Sequence, residues 1–209
     1  PLDHTMWREQ IDHLAKSRRV IAPDLRGFGG SGPVDPSGVS METYADDLAA
    51  LLDALEVSEP VCLCGLSMGG YIALAFVRKY RDRLGSLILC DTKAAADDAA
   101  AKKVREQTAL KVLEHGPDML ADAMAEKLFA ESTREQEPEV VREIQDVIRA
   151  TRPESVAAAL RGMAARPDST DLLSAIDLPT LVLVGEHDAI TTADEMRAMA
   201  AALPRATFV

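Results

Sequence analysis

Twenty residues constrain the fold of this chain more than any others: Val61 to Tyr80, VCLCGLSMGGYIALAFVRKY. Val61, Cys62, Leu63 and Cys64 form an apolar run with no polar face, the pattern of a central parallel strand covered on both sides. Gly65-Leu66-Ser67-Met68-Gly69 follows, and Gly70 opens a helical run that carries no charge as far as Val77. A buried strand that turns within a few residues into a buried helix leaves little room for a Cβ, so the glycines are expected to permit close backbone approach. The serine at the apex is predicted to sit in strained geometry with its hydroxyl exposed, facing the N–H groups and positive dipole end of the helix.

The G-x-S-x-G segment between a buried strand and a buried helix resembles the nucleophile elbow of the α/β-hydrolase family. A second segment resembles the same family: Asp24-Leu25-Arg26-Gly27-Phe28-Gly29-Gly30-Ser31 matches its D-x-R-G-x-G-x-S turn. Asp24 and Arg26 are therefore expected to position the backbone and not to catalyse. The loop lacks the G-x-G-x-x-G spacing and the P-loop lysine, which argues against a phosphate cradle.

In chain order, Thr5 to Lys16 places Trp7, Ile11 and Leu14 at helical spacing. Arg19 to Pro23 reads as a strand. Ser40 is suited to cap a helix running to about Leu55, with Tyr44, Leu48, Leu51, Leu52 and Leu55 as its apolar stripe. Ser86 to Cys90 reads as a buried strand ending at Asp91-Thr92. Between Lys93 and about Ser169 no strand pattern occurs. Helices are expected over Asp97 to His115, Asp118 to Glu131, Pro138 to Ala150 and Glu154 to Ala165, with breaks at Gly116-Pro117, Ser132-Thr133 and Arg152-Pro153. A strand at Thr180 to Val184, a helix at Ala193 to Leu203 and an apolar fragment at Ala206 to Val209 complete the pattern. Strands alternating with helices imply a doubly wound, mainly parallel sheet. The resemblance adds a helical cap inserted after the sixth strand of the family, which divides the chain into a core, 1–93 and 170–209, and a cap, 94–169. Met119, Met124, Leu128 and Phe129 are candidates either to line an apolar pocket or to pack the cap against itself.

A serine hydroxyl needs a base within hydrogen-bond reach and a third group to orient that base. The family order is Ser, then Asp or Glu, then His, which implies Ser67 as nucleophile and Asp188, in the turn Gly185-Glu186-His187-Asp188, as the acid. Asp91 is the runner-up, since some relatives carry the acid after that earlier strand. The four histidines, His4, His13, His115 and His187, all precede Asp188, and residues 189–209 contain none. His187 neighbours Asp188, and adjacent residues on an extended segment point to opposite sides. His115 suits a helix C-terminus, where the dipole favours it. The backbone N–H of Met68 is the expected first oxyanion donor. The second belongs to a His-Gly pair, and Pro1-Leu2-Asp3-His4-Thr5-Met6-Trp7 resembles the residues that follow such a pair in esterases and lactonases. On this resemblance the chain is an internal portion of an α/β-hydrolase, with the second donor before Pro1 and the triad histidine after Val209.

The chain has 209 residues with 47% hydrophobic and 27% charged, which suits one globular domain with a real core. A net charge of -11 argues against nucleic acid or an anionic membrane as partner, and Lys16 with Arg18 and Arg19 is too short a basic cluster to alter that. Three cysteines, with Cys62 and Cys90 in expected buried strands, read as reduced thiols in a cytoplasmic protein, and Cys62-Leu63-Cys64 has no further ligands for a metal. No run is long and apolar enough to span a membrane. The resemblance requires no metal or organic cofactor and implies a small-molecule ester or lactone substrate. The elbow G-L-S-M-G-G, the L-C-D-T strand end and the G-E-H-D turn look most like esterases and enol-lactonases of the 3-oxoadipate type. The alternatives are a cofactor-free perhydrolase or haloperoxidase, a carbon-carbon bond hydrolase, and a hydrolase-like binding scaffold without turnover.

Overall fold

The computed structural model describes residues 1–209, which divide into two compact units: 40–103 with 162–209, and 1–39 with 104–161. In chain order the helices and strands are α1 (Arg8–Leu14), α2 (Met41–Ala54), β1 (Val61–Leu66), α3 (Met68–Tyr80), β2 (Leu84–Cys90), α4 (Ala99–His115), α5 (Asp118–Leu128), α6 (Glu131–Gln136), α7 (Pro138–Ala150), α8 (Pro153–Ala165), β3 (Thr180–Leu183), α9 (Ala193–Ala202) and β4 (Ala206–Phe208). Short 3-10 turns occupy His4–Trp7, Arg81–Arg83 and Thr170–Ala175.

The unit formed by 40–103 and 162–209 holds the sheet. Its order is β1-β2-β3-β4 and every pair is parallel. Ser40 caps α2 by accepting the Thr43 N–H at 3.0 Å, as its position before the first apolar residue predicts. The helix α3 packs on β1, β2 and α2, and Gly70 to Val77 are all buried. Each large apolar side chain removed from water in this way contributes about 1.5–3 kcal/mol, so α3 with Leu87, Leu89 and Val182 anchors the sheet. A capping box, Thr192 with Glu195, starts α9, which packs on β3 and β4. Arg166 and Asp97 form a buried ion pair at 2.8 Å, with the guanidinium 4.0 Å from the centre of the Tyr71 ring and bonded to the carbonyls of Ala95 and Met163. Those bonds tie the chain after β2 to the end of α8.

In the unit formed by 1–39 and 104–161, α5, α6 and α7 pack together, and Arg149 of α7 reaches Asp122 of α5 at 2.8 Å. Arg152 donates to the carbonyls of Gly27 and Ser31, and Arg161 grips Glu106 with two bonds and the Pro36 carbonyl with a third.

Four expectations are corrected. Residues 19–25 form no strand, because an apolar run becomes a strand only beside a ladder partner, and none of β1 to β4 pairs with it. Cys62 and Cys64, expected to be buried in β1, are exposed among the described residues, while Cys90 is buried. The expected break at Ser132-Thr133 lies inside α6, and the chain turns at Phe129-Ala130 instead. On α2 the buried face is Met41, Tyr44, Ala45, Ala49 and Leu52, with Leu55 exposed, because small alanines allow the closest approach to α3.

Candidate active site

Ser67 is the hinge between β1 and α3, with φ 51° and ψ -109°. This left-handed region is strained for a residue with a Cβ, and it persists only where its surroundings hold it. Its N–H donates to the Cys90 carbonyl at 2.9 Å. Its own carbonyl accepts the Gly70 N–H at 2.9 Å and the Thr92 hydroxyl at 2.8 Å. The turn is thereby bolted to the end of β2. A Cβ on Gly65 would press into the carbonyl of Gly69, and one on Gly70 would press into the Thr92 side chain, whereas one on Gly69 would meet nothing within 4 Å. Close approach therefore requires Gly65 and Gly70. The second glycine of the motif is not sterically demanded, because its Cβ would point into open space.

Met68 is the first residue of α3, so its N–H has no partner within the helix and lies beside the serine. The helix dipole adds partial positive charge at the same end.

At the ends of β2 and β3, two carboxyl groups meet. Asp91 follows β2 with φ 44°, and its N–H donates to the Leu183 carbonyl at 3.0 Å. Its Oδ1 accepts the Gly185 N–H at 2.9 Å. The turn after β3 closes with the Asp188 N–H on the Gly185 carbonyl at 3.0 Å. The Oδ1 of Asp188 then accepts the N–H groups of Ile190 at 2.6 Å and Thr191 at 2.9 Å. Asp91 and Asp188, alternatives in the sequence pattern, both serve the turn after β3, Asp91 by accepting the Gly185 N–H and Asp188 by accepting those of Ile190 and Thr191. Burial raises the Asp91 pKa above its ordinary value, the Gly185 N–H opposes it, and the neighbouring Asp188 carboxyl adds to the rise.

The histidines are placed as follows. His187 is exposed in the turn that carries Asp188. His13 is exposed on α1, and His115 ends α4 beside Glu114 at 3.6 Å. The Nδ1 of His4 is 2.7 Å from Asp24 Oδ1, which also accepts the His4 N–H at 2.8 Å. Burial raises the Asp24 pKa, but the Gly30 and His4 N–H groups and the His4 ring outweigh it and hold the carboxyl below its ordinary value. Asp3, His4 and Asp24 bring one potential ligand atom each within 4.8 Å of one another, a grouping the sequence pattern did not single out. These atoms are engaged with the chain: Asp3 Oδ1 takes the Thr5 N–H at 2.9 Å, and Asp24 Oδ2 takes the Gly30 N–H at 2.9 Å.

A solvent-open cleft of about 250 Å³ of empty space is lined by Tyr71, Leu74, Arg78, Lys93 and Arg166, with Met41 at its edge. Met119, Met124, Leu128 and Phe129 are not among its lining residues, and Met119 and Leu128 stand exposed on α5. Thr92 was not picked out from the sequence. Its only signal there is its place next to Asp91, since its role comes from contact with a turn 25 positions away.

No helix is long and apolar enough to cross a membrane. A sequence family described as the alpha/beta hydrolase fold matches residues 1–209. Among solved structures, a thermophilic esterase from Thermogutta terrifontis superposes with a TM-score of 0.97 at 52% identity, covering 100% of this chain and 76% of that one. An enol-lactonase from Burkholderia xenovorans superposes with a TM-score of 0.90 at 32% identity, covering 100% of this chain and 78% of that one. Among curated proteins, 3-oxoadipate enol-lactonase 2 of Acinetobacter baylyi is 30% identical over 189 residues, which is 90% of this chain and 68% of that protein.

Proposed function

The chain belongs to the α/β hydrolase-fold family, and on that footing we propose that it cleaves carboxylic ester or lactone bonds of small molecules through an acyl-enzyme on Ser67. The observation that carries this reading is the backbone of Ser67. A strained, positive-φ serine sits between a strand and the N-terminus of a buried helix, braced by Gly65, Gly70 and Thr92. Strain of this kind costs about 1–3 kcal/mol and is retained where function uses it.

In the full protein, a histidine that follows Asp188 in the family's order takes the Ser67 proton as the hydroxyl attacks the substrate carbonyl. The Met68 N–H meets the developing oxyanion. Asp188, its carboxyl fixed by the Ile190 and Thr191 N–H groups, orients the histidine. The histidine then returns the proton to the leaving oxygen, and water releases the acyl group by the reverse sequence. The neighbouring esterase and enol-lactonases support an ester or lactone as the bond cleaved. We read residues 94–169, which carry α4 to α8, as the cap that selects the acyl group, and the three unpaired thiols support a cytoplasmic location.

The test is Ser67→Ala in the full protein with p-nitrophenyl acetate as substrate. Loss of turnover by about 10⁴-fold or more is expected, with an unchanged circular dichroism spectrum and melting temperature. A fluorophosphonate should label the parent protein at Ser67 and leave the variant unlabelled. Turnover within tenfold of the parent would remove Ser67 from the mechanism.

A further inference from the structure

A peptide bond is planar and trans, so its C=O and its N–H are the two ends of one rigid plate and point in opposite directions. The plate between Ser67 and Met68 carries the Ser67 carbonyl at one end and, at the other, the Met68 N–H that meets the oxyanion in the proposed mechanism; no peptide bond of the chain is cis. Its tilt is set by ψ of Ser67, which stands at -109° in a strained region of the backbone. Whatever holds the Ser67 carbonyl therefore aims the Met68 N–H.

Three donors lie on that carbonyl. The N–H groups of Gly70 at 2.9 Å and Tyr71 at 3.4 Å belong to the helix that the serine begins, and they turn with it. The third, the Thr92 hydroxyl at 2.8 Å, comes from the far end of β2 and refers the plate to the sheet. Thr92 is itself held on several sides. It is fully buried, and a β-branched side chain is stiff at χ1. That side chain occupies the space a Cβ on Gly70 would need. Its N–H is directed at the Sδ of the buried Met196 of α9, 3.4 Å away. The residue before it is tied to β3 and the turn beyond, since the Asp91 N–H donates to the Leu183 carbonyl at 3.0 Å and Asp91 Oδ1 accepts the Gly185 N–H at 2.9 Å.

We propose that Thr92 is the positioning residue of the oxyanion site: its hydroxyl, by donating to the Ser67 carbonyl, fixes the Ser67–Met68 peptide at the tilt that presents the Met68 N–H to the developing oxyanion. The role rests on the assignment of Ser67 as nucleophile. The same bond makes the Met68 N–H a stronger donor, because hydrogen bonds along a chain polarise one another. Thr92 acts through the peptide and not on the substrate.

The experiment compares Thr92→Val, Thr92→Ser and Ser67→Ala with the parent in the full protein, by hydrolysis of p-nitrophenyl acetate, by inhibition with trifluoroacetophenone and by urea unfolding. Thr92→Val keeps the size and branching of the side chain without the donor, and Thr92→Ser keeps the donor without the methyl group. When trifluoroacetophenone binds, Ser67 Oγ bonds to the ketone carbon, the carbonyl electron pair becomes an oxyanion and the hydroxyl proton passes to the histidine, so its affinity reads the oxyanion site. Thr92→Val is expected to lower kcat by about tenfold or more with KM within about twofold, and to weaken trifluoroacetophenone by a similar factor. Thr92→Ser is expected to stay within about threefold of the parent in both. Both variants should unfold at a lower urea concentration than the parent, so stability falls in each while turnover falls in one. Equal losses of kcat in Thr92→Val and Thr92→Ser, or parental kcat or parental inhibition in Thr92→Val, would overturn the positioning role. If Ser67→Ala kept turnover within about tenfold of the parent, the nucleophile assignment would fail and the positioning role with it. An inactive Ser67→Ala beside a fully active Thr92→Val overturns the positioning role alone.

Discussion

Two glycine-rich turns in this chain look alike as text and are built on opposite physics. The turn Gly65 to Gly70 is closed by backbone against backbone. A Cβ at Gly65 would meet the Gly69 carbonyl, and the strain that results is carried by Ser67. The loop Asp24 to Gly32 is closed by side-chain hydrogen bonds. Asp24 accepts N–H groups from His4 and Gly30, Ser31 donates back to the Asp24 carbonyl at 2.8 Å, and Arg152 bonds the carbonyls of Gly27 and Ser31. Its glycines at positive φ, Gly27 and Gly29, carry the conformation at little cost. The difference teaches where to look for chemistry: a polar group consumed by the fold has nothing left to offer, and a strained one with a free hydroxyl does.

Substitutions can break this contrast, and the largest effect falls at Gly65. Gly65→Ala should destabilise by about 3–5 kcal/mol or prevent folding, since backbone atoms cannot step aside as a flexible side chain can; chemical denaturation measures it, and a loss under 1 kcal/mol would contradict the steric account.

In the second turn the expected effect is smaller and depends on pH. Asp24→Ala leaves N–H groups without their acceptor and should cost about 1–3 kcal/mol at neutral pH. Because the Asp24 carboxyl is held below its ordinary pKa, its contribution is present above that value and is lost as pH falls through the lowered one. The parent and the variant should therefore converge in stability on acidification, and parallel curves would show that the carboxylate charge is not what the loop uses.

Smallest of all is the effect at Gly69, which shares the motif with Gly65 but not its surroundings. An alanine there meets open space within a helix, so Gly69→Ala should be neutral or stabilising by up to about 1 kcal/mol. A large loss at this position would erase the distinction between the two glycines.

Much of this was legible in the residues. The uncharged run after Ser67, the Ser40 cap and the Gly116-Pro117 break are local signals, and each appears where its chemistry puts it. The glycine pattern around Ser67 announced the turn, although it could not tell a glycine that is sterically required from one that is not.

Contacts across the chain were beyond such reading. Whether Arg19 to Pro23 becomes a strand depends on a neighbour, because the ladder and not the residue makes the strand. Asp91 and Asp188 stood in the sequence as rivals, and the β2–β3 register brought Asp91 to the turn that carries Asp188, where its Oδ1 accepts the Gly185 N–H. Short-range sterics and capping are properties of a few adjacent residues, so the sequence alone determined the elbow and the helices. Strand order and the register that carries Asp91 to the turn after β3 arise from pairing between distant segments, so only the tertiary structure decided them.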